Sequence, residues 1–184
     1  MRQDFNKSGS PAEFKLEPLV PTKSCKGFDC SIAEYNDYLI NDALRSMDDH
    51  IALTWLLTER STGKIAAYMS LIMDAIKLSF TEKELHHLNY PFRTIPAMKI
   101  AKLAVDRNFS DKYKGTGTFM INNAERLARV CNTSYCACRF LTVDADLEHD
   151  EGVLSFYEKN GFITNVELYN KNRKTISMRK DIYK

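Results

Sequence analysis

At 184 residues, 44% apolar and 27% charged, the chain has the size and composition of one folded domain, which excludes wholesale disorder. It holds no apolar run of about 18 residues, so no helix is expected to span a membrane. The net charge of +2 does not by itself announce a nucleic-acid binder. Met1–Ser10 is polar, lacks the apolar core of a secretion signal and is expected to be a frayed tail running to about residue 12. Five cysteines, an odd count without such a signal, argue for reduced thiols in a cytoplasm. Cys131, Cys136 and Cys138 lack paired C-x-x-C spacing, so no metal is expected, and they are read as buried structural thiols.

In chain order, Phe14-Lys15-Leu16 opens an extended segment that ends at Pro18 and Pro21. Ser31-Ile32-Ala33-Glu34 has the form of a capping box, and Ile32, Tyr35, Leu39 and Ala43 fall on one face of the helix behind it. Ile51–Thr58 and Ile65–Ser79 are apolar β-rich runs joined by Ser61-Thr62-Gly63-Lys64, which predicts a hairpin. Thr81-Glu82-Lys83-Glu84 is a second capping box, starting a short helix that must end before Pro91. In the strand Ala97–Val105, Met98 and Ile100 share one parity and Leu103 and Val105 the other. Two readings fit: a β-bulge that restores one apolar face, or a strand buried on both sides.

Met120, Ala124, Leu127, Ala128 and Cys131 mark an amphipathic helix of about three turns, followed by a core strand at Phe140–Val143. Glu151–Asn160 is expected to be a helix closed by Gly161. Phe162 onward and Thr175–Met178 flank the turn Asn170–Arg173 and predict a closing hairpin. This mixed order favours one three-layer α/β or α+β domain over residues 13–184.

The chemistry centres on Lys112-Tyr113-Lys114-Gly115-Thr116-Gly117-Thr118, between the strand and the long helix. Glycines allow an anion to approach the backbone, and the first helical turn offers unpaired N–H groups and positive potential, so the segment is a candidate pyrophosphate cradle. It lacks the ending of a Walker loop and, with Met120 in the third glycine's place, is not a dinucleotide fingerprint; a plain glycine turn is the alternative. Tyr157, in Phe156-Tyr157-Glu158-Lys159-Asn160-Gly161-Phe162, is a candidate proton donor or an aromatic core residue. His86 and His87 are read as surface residues, and His50 and His149 lack partners at ligand spacing. The acids Asp144, Asp146, Glu148, Asp150 and Glu151 are read as a solvated loop and helix start. Arg93, Lys99, Lys102, Arg107, Lys112 and Lys114 form either a phosphate-contacting patch or a solvated face.

Together these pieces resemble the GNAT family of acetyl-CoA-dependent N-acetyltransferases. Lys112–Gly117 is similar to its cofactor signature Gln/Arg-x-x-Gly-x-Gly/Ala, with lysine in first place, and Phe156–Phe162 to its later F-Y-x-x-x-G-F motif. The likeness covers Phe14 to the C-terminus. A narrower one rests on Gly27-Phe28-Asp29-Cys30, Ile95-Pro96 and Leu103-Ala104-Val105-Asp106-Arg107, which look like the toxin branch that acetylates aminoacyl-tRNA. Here Asn108–Asp111 lengthens the link to the cofactor signature.

The resemblance implies a GNAT fold: a central, mixed, largely antiparallel sheet splayed at a bulged strand, with helices on both faces. It implies direct acetyl transfer from acetyl-CoA to a primary amine in a ternary complex. Backbone at Leu103, Ala104 and Val105 would pair with the pantetheine arm. Lys112, Lys114, Gly115, Thr116, Gly117 and Thr118 would hold the pyrophosphate, and Tyr157 would protonate the departing thiolate. The general base stays open among Asp74, Glu82 and Asp106. Aminoacyl-tRNA, an antitoxin and a second copy of the chain are the implied partners. The alternatives are an acetyltransferase for a small amine, polyamine, drug or protein amine, and a non-catalytic acetyl-CoA-binding module.

Overall fold

The computed structural model describes residues 11–150, 152–165 and 174–184. They divide into two compact units, Met1–Ile72 with Ala101–Asn123 and Met73–Ile100 with Ala124–Lys184. The strand order of the seven-stranded sheet is β1-β2-β3-β4-β5-β7-β6.

In the first unit β1 (Phe14–Pro18) runs antiparallel to β2 (Leu53–Glu59), from Phe14↔Glu59 to Pro18↔Trp55. β2 forms the expected hairpin with β3 (Ile65–Lys77), and the register shifts between Leu57 and Thr58. Gly63 closes the turn at φ +69°, a left-handed conformation glycine adopts without cost. The first helical stretch is continuous but uneven: α1 (Ala33–Asp37), a π-turn at Tyr38–Asp42, then α2 (Ala43–Asp48). Tyr35, Leu39 and Ala43 recur every fourth residue, a spacing that drifts around a 3.6-residue helix and that the wider turn keeps on one side. Leu39 and Ala43 are buried with Leu19, Phe28, Leu56, Ile65, Tyr68 and Ala104 in the core of this unit.

The first capping box does not form. Ser31 lies at φ +69°, and Ile32 is the residue before the helix, with no side-chain cap. The Asp29 carboxylate takes the Ser31 N–H at 2.8 Å, which turns the serine away from the helix end.

Over its second-unit residues, β4 (Thr94–Val105) runs parallel to β5 (Phe140–Asp146), in register from Ala97↔Phe140 to Ile100↔Val143. β5 pairs antiparallel with β7 (Thr175–Asp181), and β7 with β6 (Ile163–Thr164), the described part of the closing hairpin. Its expected turn, Asn170–Arg173, lies outside the described residues. Ile76, Leu78, Ile95, Ala97 and Phe140 form a core cluster. The second capping box sits two residues earlier than the sequence suggested. Ser79 caps α3 (Phe80–Leu85) and exchanges hydrogen bonds with Glu82, because the Glu82 carboxylate is also drawn to Arg179.

Along β4, Ala97, Met98, Ile100 and Ala104 are buried while Leu103 and Val105 are half-buried. Between β4 and the glycine turn, where the sequence predicts only a link, lies the helix α4 (Arg107–Lys112). The long helix α5 (Thr116–Ser134) exceeds the expected three turns, and α6 (Val153–Lys159) is closed by Gly161 at φ +85°.

Candidate functional site

In the first unit the site begins where β4 ends. Asp106 is 3% exposed, and both its carboxylate oxygens are occupied. Oδ1 accepts the backbone and side-chain N–H groups of Asn108 at 2.9 and 3.1 Å, capping α4. Oδ2 accepts the Asp29 N–H at 2.9 Å. Asp29 answers across the same seam: its carbonyl takes the Arg107 N–H at 2.9 Å and its carboxylate meets the Arg107 guanidinium at 3.0 Å. The Ser31 N–H, the Asn36 amide and Arg107 hold the Asp29 carboxyl below the usual carboxylate range. Two sequence motifs, Gly-Phe-Asp-Cys and Val-Asp-Arg, are therefore one structural device that fixes the start of α4.

α4 seats the glycine turn. Phe109 and Tyr113 pack edge-on against Phe14, with ring centroids 6.1 and 5.1 Å away. The Thr116 hydroxyl, 2% exposed with its residue, donates to the Tyr113 carbonyl at 2.8 Å. Thr116 thus shapes the turn with its side chain and leaves only its backbone for an anion. Gly115 stands at φ +90°, where a Cβ would be strained. The first ladder bond of α5 runs from the Phe119 N–H to the Gly115 carbonyl at 2.9 Å, so the N–H groups of Thr116, Gly117 and Thr118 have no acceptor within the helix. This is the local geometry an anion needs. Lys112 lies 4.7 Å from the Tyr113 ring centroid and 3.9 Å from Glu59, and these neighbours raise its ammonium pKa, the Tyr113 contact most. Lys114 is exposed beside the turn.

In the second unit Tyr157 is buried, 6% exposed, on α6. Its ring is held edge-on between Phe156 and Phe162 at 5.1 and 5.3 Å, and its carbonyl accepts the Phe162 N–H at 3.0 Å. The family-like Phe-Tyr…Gly-Phe pattern is thus an aromatic clamp closed by a glycine cap, which fixes the phenol's orientation.

The three base candidates are structurally committed. Asp106 is the cap just described. Asp74 accepts the Thr142 hydroxyl at 2.6 Å and the Ala75 N–H at 2.8 Å. Glu82 caps α3 and pairs with Arg179 at 2.6 Å, both side chains buried.

The reading of His86 as a surface residue is overturned. It is 4% exposed and belongs to a buried network no local sequence signal announces. Arg179 Nε–H, which can only donate, reaches His86 Nε2 at 3.3 Å, so the ring proton sits on Nδ1 and faces Asp181 at 2.9 Å. Arg179 also donates to Asn165 at 2.7 Å, and Arg139 to Asp181 at 2.7 Å.

The described acids of the 144–150 segment are engaged too. Asp144 pairs with Lys99, Asp146 with His149, and Glu148 with Lys174, while Asp150 accepts the Gly152 N–H. Of the basic residues, Lys102 lies over the Tyr35 ring at 4.5 Å. Cys136 is exposed and Cys131 half-buried, contrary to the expectation of buried thiols; both precede β5, since the helix ends later than its apolar face suggested.

No family model matches the chain, and no curated protein matches it in sequence. Solved structures do match its fold. AtaT complexed with acetyl-methionyl-tRNAfMet gives a TM-score of 0.77 at 19% identity, covering 92% of this chain and 95% of that one. AtaTR bound with acetyl-CoA gives 0.71 at 19% identity, covering 91% and 94%. A tyrosine-to-phenylalanine mutant of KacT gives 0.73 at 19% identity, covering 91% and 95%. The fold is therefore the one these proteins share, a mixed α/β architecture in which the two motifs occur in the expected order.

Proposed function

We propose that the chain transfers acetyl from acetyl-CoA to the α-amine of an aminoacyl-tRNA and acts as a toxin held in check by an antitoxin. What carries the reading is the likeness, over nine-tenths of the chain, to AtaT complexed with acetyl-methionyl-tRNAfMet. The residues fit the cofactor, since a glycine turn at positive φ and first-turn N–H groups with no acceptor within the helix suit a pyrophosphate. When bound, acetyl-CoA supplies an activated acetyl thioester. Backbone at Leu103, Ala104 and Val105 orients the pantetheine arm, and its N–H groups stabilise charge on the thioester oxygen. Lys114 and the amides of Gly115, Thr116, Gly117 and Thr118 hold the diphosphate, with Lys112 nearby. Tyr157 donates its phenolic proton to the leaving sulfur. Solved neighbours include the AtaT toxin bound to the C-terminus of its antitoxin AtaR, and the reading places this chain with tRNA in the cytoplasm.

The committed carboxylates bear on the acceptor. An α-amine, with a pKa near 7.7–8.0, is about one-third neutral at pH 7.5, whereas a lysine-like amine near 10.4 is about one-thousandth neutral. An active site whose candidate bases are all engaged elsewhere suits the α-amine, which loses its proton to water. The test is a panel of charged tRNA, a polyamine, an amino sugar and a lysine-bearing peptide, each offered with labelled acetyl-CoA at pH 7.5. Preferential label on charged tRNA is expected; label on the polyamine or amino sugar alone overturns the reading.

A further inference from the structure

The end of α5 carries a pair of thiols that the proposed acetyl transfer does not use. The Cys131 carbonyl accepts the N–H groups of both Tyr135 and Cys136, at 2.9 and 3.0 Å, which folds the chain back over the last helical turn. That fold brings Cys131 Sγ and Cys136 Sγ to 3.4 Å. Cys136 is exposed, Cys131 is half-buried behind it, and neighbouring Tyr135 is 84% exposed, so a small reagent can reach the outer sulfur. The third nearby thiol is placed differently. Cys138 is buried, its sulfur faces the Phe140 carbonyl at 3.6 Å, and its N–H is held by Asn132 at 3.1 Å. Among the described residues there is no group of three ligands that could hold a metal ion.

We propose that Cys131 and Cys136 are a modification site: a dithiol that closes to an intramolecular disulfide by exchange with a low-molecular-weight disulfide such as oxidised glutathione. The Cys136 thiolate attacks one sulfur of the reagent, forming a mixed disulfide and expelling one glutathione thiolate. Cys131, deprotonated, then attacks Cys136 Sγ, forming the protein disulfide and expelling the second glutathione. Two protein thiols are oxidised, one reagent disulfide is reduced to two thiols, and the two protons pass to solvent and the leaving thiolates. Bond formation needs the sulfurs to close to about 2.05 Å, an approach of roughly 1.4 Å. Burial raises the Cys131 thiol above its ordinary pKa, as does the Cys136 contact, so the second step quickens with rising pH. Burial pushes Cys138 up to about 11, leaving little of it as thiolate near neutral pH.

The experiment treats the folded full chain with graded oxidised glutathione, alkylates the remaining thiols and maps them by fragmentation mass spectrometry. Two of the five thiols are expected to disappear together, with the bond assigned to Cys131–Cys136 and reversed by dithiothreitol. Cys131→Ser should stop at a glutathione adduct on Cys136, and Cys138→Ser should close as the wild type does. Phenylarsine oxide, which bridges two adjacent thiols, gives a readout on the reduced protein: one adduct in wild type and Cys138→Ser, none in Cys131→Ser or Cys136→Ser. A persistent glutathione adduct in the wild type, a bond to Cys138, or a bridge that survives Cys131→Ser overturns the proposal. None of these outcomes depends on the acceptor of acetyl transfer.

Discussion

Two residues of the proposed site each make a separable prediction. The aromatic clamp of Phe156 and Phe162 fixes the Tyr157 ring, so Tyr157→Phe removes one oxygen and leaves the packing intact. Turnover should fall about 10²- to 10⁴-fold, the usual contribution of a positioned acid, while acetyl-CoA affinity measured by calorimetry changes little. Unchanged turnover would remove Tyr157 from the mechanism. Gly117 tests the cradle from the other side. A glutamate there sits in the first turn of α5, where the helix tolerates or welcomes negative charge, so the fold should survive. The added carboxylate would occupy and repel a diphosphate, so calorimetry should show binding reduced at least about tenfold, which is roughly 1.4 kcal/mol. Intact affinity would contradict the assignment. The backbone needs of both motifs were legible in the sequence, because the glycines that mark them, Gly115 and Gly161, stand at φ +90° and +85°. His86 was not legible, because its partners Arg179 and Asp181 lie more than ninety residues away and only tertiary folding brings them together.

At the scale of elements, the strands, the long helices and the Gly161 C-terminal cap were readable from alternation, periodicity and glycine placement, and the N-terminal caps were not. Ser31 and Glu34 have the spacing of a capping box, but the nearby Asp29 carboxylate competes for the backbone and wins, because Asn36 and Arg107 also hold it in place. The same competition explains α4, whose only sequence signal was an aspartate before a helix-permissive stretch. Asp106→Ala should remove the α4 cap and the tie to Asp29 together, costing about 2–3 kcal/mol in urea unfolding. A loss below about 0.5 kcal/mol would mean that the seam is not structural. β7 offers a second test through the buried Glu82–Arg179 pair. Glu82→Leu strands a buried guanidinium and should cost about 3–5 kcal/mol, much of it recovered when Arg179→Met is added. Additive losses in the double variant would contradict the pairing.

For the whole molecule, the near-neutral net charge of +2 excluded little, and the resemblance carried by two motifs did most to define the fold that the structural comparisons bear out. Acid stability follows from the buried network. Burial holds His86 below its ordinary pKa, so the folded state stays neutral where the unfolded chain binds a proton. Stability should therefore fall as pH drops below about 6.5, by up to about 1.4 kcal/mol per pH unit for that proton. Burial alone would raise Asp181, but bonds from the Tyr183 N–H, His86 and Arg139 outweigh it and keep its carboxyl low. Its contribution is present above about pH 3.9 and is lost as the pH falls further through the lowered value. Urea midpoints that stay flat from pH 7 to 5 would contradict the histidine assignment. The most direct test of the proposed function is single-turnover transfer from labelled acetyl-CoA to charged total tRNA, with Tyr157→Phe alongside. The account predicts label on the aminoacyl group, released with the amino acid by mild base and formed about 10²- to 10⁴-fold more slowly by the variant. Label absent from the charged tRNA while acetyl-CoA is bound, or label formed equally fast by the variant, would contradict it.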